Sequence, residues 1–254
     1  VDRMKSLRSY EIVQYVQERK YCSLPELMEK FQVSSATIHR DVAALVKAGQ
    51  VRKVHGGVAA VDAAASPVLS VHYRDRLVNN REVKQIIAEA AISEIRDGDI
   101  IFLDSSTTVY YLAKLLQNSN FANLTIVTNS VLIIQEFPLF PSNYFLIALG
   151  GNYDLQLNAF LGQATMRELE HLSIGKAFLS ALGMTPEGIS SRHEYHANFL
   201  RRVLEISARN YLLIGSDKFD RSGIFAIAPL SRIDRLISDA PPPGYFYGRS
   251  MKFE

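Results

Sequence analysis

A chain of 254 residues with 48% hydrophobic content has apolar material for a sizeable core, in one large domain or two smaller ones, and is not a disordered protein. Its single cysteine, Cys22, excludes an intramolecular disulfide and a thiolate zinc cluster, and the charged start "VDRMKSLRSY" lacks an apolar signal core. No run approaches the roughly 18 uninterrupted apolar residues of a membrane span, so a soluble, cytoplasmic protein without a membrane partner is expected.

The net charge of +2 is unevenly spread: residues 1–61 carry ten Lys or Arg against six Asp or Glu, and the remainder carries 18 against 20. The basic first quarter points to an anionic partner, although an excess of four charges also fits an ordinary solvated surface.

This first quarter reads as three helices and a hairpin. Ile12, Val13 and Val16 give the first helix an apolar stripe. In "SLPE", Ser23 and Glu26 fit a capping box and Pro25 sits in the first turn of a second helix that runs through Leu27 and Met28 to Phe31. After the turn "QVS", Ser34 caps a third helix that Gly49 stops. Two helices joined by so short a turn describe a helix-turn-helix. At 100° per residue, Ile38, Val42 and Leu45 lie within about 60° of one another and form the buried stripe of the third helix. Its opposite face carries Ala36, Arg40, Ala43 and Lys47, flanked by Thr37 and His39. Alanines let the backbone approach a DNA groove, Arg40 can be bidentate to guanine, and Ser35 or Thr37 can bind phosphate near the helix start. Any surface helix also has a solvated face, and the neighbouring hairpin decides between the two. In "QVRKVHGGVAAV", Val51 and Val54 alternate with Arg52 and Lys53, Gly56-Gly57 makes the turn, and the basic residues with His55 form a wing along the phosphate backbone.

The stretch from Arg8 to Val58, with "VSSATIHRDV" and "VRKVHGGV" at its centre, resembles the winged helix-turn-helix of DeoR-type bacterial transcriptional regulators. That resemblance implies double-stranded operator DNA as a partner. His39 stands where the family usually has the first of two arginines.

"AAVDAAASP" (59–67) has the small, weakly patterned, proline-closed composition of a linker. The expected domains are therefore a DNA-binding domain at 1–61, a linker at 62–75 and a larger domain at 76–254. In the larger domain, apolar runs at 99–103, 124–128, 144–151, 176–183, 211–215 and 235–238 alternate with helical segments such as "VYYLAKLLQ", "SVLIIQEF" and "EYHANFLRRVLEISARN". The fold class is α/β, a mostly parallel sheet flanked by helices. "PPPG" at 241–244 ends regular structure and leaves an aromatic tail, packed on its own domain or on a neighbouring subunit.

Ligands of open parallel sheets sit at the carboxyl ends of strands. There this chain has Asp104-Ser105-Ser106-Thr107-Thr108, whose amides and hydroxyls face the positive end of a helix dipole, and then Thr128-Asn129-Ser130, Gly150-Gly151 and Lys218 in "GSDKF". Taken alone, "DSSTT" reads first as an ordinary helix cap; with the other strand ends it reads as a phosphate cradle, with Lys218 as cation and Asp104 or Asn129 for sugar hydroxyls. These elements match in order the DeoR-type sensor domain, which is similar to ribose-5-phosphate isomerase. The resemblance implies a phosphorylated sugar or related metabolite as effector. It departs at Ser106, a glycine in the family, at Gly175 and Gly215, where aspartates are usual, and at Arg201, where a lysine is usual.

Enzyme signatures are sparse. "DSSTT" lacks the second acid of a D-x-D-x-T phosphatase, and neither a G-x-S-x-G elbow nor a G-x-x-x-x-G-K-[ST] loop occurs. His193, Glu194 and His196 have no compelling third metal ligand, so no metal and no cofactor is expected. The alternative is a sugar-phosphate isomerase-type enzyme with an accessory DNA-binding domain, which needs a carboxylate base; "GMTPEGIS" offers only Glu187. The expected function is a non-enzymatic repressor of carbohydrate metabolism genes, working as a homodimer or homotetramer because one winged module reads too few base pairs.

Overall fold

In the computed structural model, which describes residues 2–47, 51–54, 56–60, 69–246 and 252–253, two compact units emerge, Val1–Leu69 and Ser70–Glu254. The first unit is α1 (Asp2–Arg19), β1 (Tyr21–Ser23), α2 (Leu24–Phe31), α3 (Ser35–Lys47), β2 (Val51–Val54) and β3 (Gly57–Ala60). Ser23 opens α2 with the complete capping box, its hydroxyl accepting from the Glu26 amide at 3.3 Å while its own amide donates to the Glu26 carboxylate. Gln32 ends the helix in the left-handed conformation, φ 49°, and the Val33 amide returns to the Met28 carbonyl at 3.1 Å, which turns the chain into α3. Ile38, Val42 and Leu45 are buried with Ile12, Val16 and Leu27 in one core.

The hairpin is a three-stranded sheet in the order β1-β3-β2, because Tyr21–Ser23 pairs with β3 on the side away from β2. Three residues give too short a pattern for a strand to be read from sequence. Gly57 shows the constraint: a Cβ there would lie 2.3 Å from the Cys22 carbonyl oxygen. Gly49 and Gln50 lie outside the described residues, as does residue 55.

In the second unit, β4 (Ile100–Leu103), β5 (Thr125–Thr128), β6 (Phe145–Ala148), β9 (Ile174–Leu179), β12 (Ser207–Leu213), β14 (Arg235–Ile237) and β15 (Lys252–Phe253) form a parallel sheet in the order β15-β14-β12-β9-β4-β5-β6. The six apolar runs each hold one strand, and the tail adds the seventh by pairing with β14, with Phe246 buried in the same core. The helices are α4 (Val71–Val78), α5 (Arg81–Ile92), α6 (Thr107–Leu116), α7 (Val131–Glu136), α8 (Gln163–Leu169) and α9 (Glu194–Ile206). On α9, Phe199, Leu200, Val203 and Leu204 are buried, contributing about 1.5 to 3 kcal/mol each relative to exposure.

Three readings change. The segment expected to continue helically to Asn210 becomes strand at Ser207, where the buried Asn210 amide donates to the carbonyls of Leu204 and Arg232. The runs 144–151 and 176–183 stop earlier as strands and feed a ribbon, β7 (Asn152–Asp154) with β8 (Ala159–Leu161), and an antiparallel sheet of β10 (Gly183–Thr185), β11 (Gly188–Ser191) and β13 (Phe225–Ala228). Finally, Val71–Asp75, the last part of the expected linker, opens α4: Ser70 caps it by accepting from the Tyr73 amide at 3.1 Å, and Tyr73 is fully buried.

Candidate nucleic-acid interface and ligand cavity

On α3 the exposed face carries Ser35, Ala36, His39, Arg40 and Ala43, with Thr37 half-buried and its hydroxyl 3.0 Å from that of Ser34. An ion pair ties this helix to α1: the Arg8 guanidinium donates from Nε at 2.8 Å to one oxygen of Asp41, with a second nitrogen 2.8 Å from the same oxygen, and the Asp41 side chain is completely buried. Arg52 and Lys53 are exposed on β2. A helix with a small-residue and arginine face beside a basic hairpin has the shape and charge to read a groove while holding phosphates. The Lys47 side chain and His55 fall outside the described residues.

The second unit holds a cavity of about 680 Å³ above the carboxyl ends of β4, β9 and β12. The chain runs from β4 outward to β5 and β6, then continues on the opposite side of β4 with β9, β12 and β14, so the sheet's switch point lies between β4 and β9. Asp104 bridges that point: its carboxylate accepts from the Ser106 amide at 2.8 Å and from the Ser180 amide at 2.9 Å. Burial pushes its pKa up to about 6 against those hydrogen bonds. Ser106 caps α6, accepting from the Val109 amide at 3.2 Å.

Ser105, Ser106, Thr107 and Thr108 line the cavity at the start of α6, and Lys218 reaches it from the turn after β12. Facing them are Arg76 on α4 and Lys84 on α5. The Lys84 ammonium donates to the carbonyls of Arg76 and Asn79, and burial, with Lys218 and Arg76 nearby, pulls its pKa down to about 8. Burial also lowers the Lys218 pKa, with Asp217 and Asp104 opposing. Three cations close enough to disfavour one another's charge, beside a helix N-terminus, form a ready site for an anion.

Thr128, Asn129, Ser130, Gly150 and Gly151 do not line this cavity. They follow β5 and β6, on the far side of β4 from the switch point, and their polar groups serve the fold. The Thr128 hydroxyl donates to the Leu103 carbonyl at 2.6 Å, Asn129 donates to the Phe160 carbonyl at 3.0 Å, and Ser130 caps α7. The Gly150 amide donates to Glu168, and Gly151 has φ +145° with no room for a Cβ beside the Thr165 hydroxyl.

Residues 8–64 match the model of the DeoR-like helix-turn-helix domain and residues 79–240 that of the DeoR C terminal sensor domain. The chain belongs to the DeoR family. It is 32% identical to the HTH-type transcriptional regulator IolR of Bacillus subtilis over 94% of this chain and 92% of that protein. It is 31% identical to the L-fucose operon activator of Haemophilus influenzae, covering 91% of each, and 29% identical to the glycerol-3-phosphate regulon repressor of Escherichia coli, covering 91% of this chain and 90% of that one. A ribose-5-phosphate isomerase structure in complex with phospho-erythronic acid superposes with a TM-score of 0.41 at 17% identity, over 56% of this chain and 55% of that one, a likeness too low to carry an argument. Like its relatives, this DeoR-family chain is a DNA-binding transcriptional regulator.

The DeoR-type sensor motifs drew attention to strand ends and away from α4 and α5, which supply Arg76 and Lys84. One signal was available: Lys84 falls on the same helical face as Ile87, Ala88 and Ala91, all buried, so it stands as a lysine within an apolar stripe. His193 and His196 at the start of α9 also line the cavity, and among the described residues no third His, Cys, Asp or Glu groups with them as a metal ligand. Of the departures from the family, Ser106 has φ −69°, so the position does not require glycine, and its hydroxyl is engaged in capping. At position 215 a Cβ would lie 2.6 Å from an Asp217 carboxylate oxygen, so Gly215 leaves room for that acid.

Proposed function

We propose that this DeoR-family regulator is a cytoplasmic repressor of carbohydrate metabolism genes, released from its operator when a phosphorylated sugar or related metabolite enters the sensor cavity. The observation that carries this reading is the convergence of Arg76, Lys84 and Lys218 on the start of α6 at the sheet's switch point. The names of the relatives support the gene class, two of them referring to glycerol-3-phosphate and to L-fucose. Of the effector residues expected from sequence, Ser105, Ser106, Thr107, Thr108 and Lys218 remain candidates for contact, with Asp104 positioning the loops beneath them.

Binding without turnover is supported by the place of Glu187, the acid the sequence offered as a base, which is not among the cavity residues, and by Asp104, which already accepts two backbone amides. Asp75 and Asp217 do line the cavity and serve this reading as acceptors for sugar hydroxyls. Operator recognition falls to Ser35, Ala36, Thr37, His39 and Arg40 with Lys47, and phosphate contact to Arg52, Lys53 and His55. The regulator acts as a homodimer or homotetramer on repeated half-sites, and the effector shifts the population of states competent for DNA.

A thermal-shift screen of the intact protein against phosphorylated sugars tests the reading. A ligand at 100 times its dissociation constant should add about 2.7 kcal/mol and weaken operator binding in the same samples. Melting unmoved by every compound, or a ligand that melts higher yet leaves operator affinity unchanged, overturns it.

A further inference from the structure

Besides the start of α6 with its cations, the cavity is lined by a second helix start, that of α9. At α9 the N-cap residue His193 makes no side-chain cap bond, so the amides of the first turn are not satisfied by it. Arg192 is exposed and lines the cavity beside it. The His193 amide donates to the Ser191 hydroxyl oxygen at 3.1 Å, and that hydroxyl lies 3.4 Å from Nδ1 of His196. With the Ser191 proton directed to Nδ1, the neutral imidazole carries its hydrogen on Nε2. That atom is fully buried and has no hydrogen-bond partner among the described residues, in a side chain that lines the cavity. Burial, with His193 and Arg76 beside it, lowers the His196 pKa to about 4, so the ring is neutral and, in the tautomer with its hydrogen on Nε2, a donor; the formal positive charges here are those of Arg192 and Arg76. The groups left for a ligand here, the first-turn amides, an imidazole N–H and a guanidinium, donate, while Glu194 in the same turn is exposed. Such a cluster matches oxygens bearing negative charge better than sugar hydroxyls, which need acceptors as well. The acceptors, Asp75, Asp217 and the Gln156 amide, are other parts of the cavity lining and suit hydroxyls.

We propose that the effector carries two acidic groups, a phosphate held at the start of α6 and a second group, carboxylate or phosphate, held at the start of α9 by Arg192 and His196. This inference rests on the reading of the cavity as a phosphorylated-sugar site.

Calorimetric titration of the full-length protein with matched probes tests it: glucose 6-phosphate against 6-phosphogluconate, and fructose 6-phosphate against fructose 1,6-bisphosphate. In at least one pair the compound with two acidic groups should bind about tenfold tighter, the ratio expected of one added charge-assisted contact. Arg192→Ala and His196→Gln should each remove most of that advantage while leaving the Kd of the singly phosphorylated partner within about threefold, whereas Lys218→Ala should weaken both partners. Because Arg192 is exposed, its variant separates contact from folding. Equal affinity within both pairs, or equal losses for both partners in Arg192→Ala, overturns the second site and leaves the phosphate reading standing. If no probe binds in either pair, both fall together.

Discussion

Lys84 couples the cavity to protons. Its pKa of about 8 lies below the usual 10.5 because burial and two neighbouring cations disfavour the ammonium. In the empty protein the folded chain therefore binds fewer protons than the unfolded chain between about pH 8 and 10.5, and this residue's contribution to stability rises with pH across that window. An anion in the cavity reverses the effect by favouring the charged lysine. Ligand binding at pH 8.5 should thus take up protons, and affinity should fall as pH rises through 8. Titrations in two buffers of different ionisation enthalpy should give different apparent heats at pH 8.5 and similar heats at pH 7, and Lys84→Gln should abolish the difference. Identical heats at pH 8.5 in the native protein would mean that Lys84 does not face the anion.

At the scale of elements, α3 and the β2–β3 hairpin divide the work on DNA in the proposed operator contact. Arg40 is exposed on α3, and in the proposed operator contact it reads base edges, so Arg40→Ala should cost about 1 to 3 kcal/mol in operator binding and relax base preference. Lys53→Ala should weaken all sequences alike and lower the salt slope by about 1. The two outcomes separate in a competition binding assay run at several salt concentrations. The presentation of α3 depends in turn on Arg8, whose loss leaves the Asp41 carboxylate buried without its partner. With Arg8 partly exposed, Arg8→Ala should lower the protection of α1 and α3 amides in hydrogen exchange by about 1 to 3 kcal/mol, between the values for surface and buried pairs. Unchanged protection would show that the hydrophobic stripe of Ile38, Val42 and Leu45 orients α3 unaided.

For the molecule as a whole, β6 is the edge strand of the large sheet, and its Phe145 and Ile147 are 65% and 38% exposed. An uncharged apolar edge invites another strand, which fits the proposed action of an oligomer on repeated half-sites. Phe145→Asp should shift the protein toward monomer in sedimentation velocity and weaken operator binding while leaving the melting of the sensor domain nearly unchanged. An unaltered oligomer would locate the interface elsewhere. The helix-turn-helix and six of the seven strands of the large sheet were legible in sequence because their signals are local: Ser23 and Glu26 are three residues apart, and each of those strands contains a short apolar run. The role of each strand end was not legible, because it depends on strand order. "DSSTT" and "TNS" look alike along the chain, yet the switch point between β4 and β9 gives the first a cavity and turns the second into a cap and a strand tie. Likewise Lys84 and His196 hydrogen-bond within eight residues of themselves, but the charges they meet, Lys218 for the first and Arg76 for the second, come from elements distant in sequence. The sequence by itself determined the helix-turn-helix and six strands of the large sheet, since caps, turns and apolar periods act within a few residues. Only the tertiary structure decided which polar residues share one cavity, since that follows from long-range strand pairing and the burial it imposes.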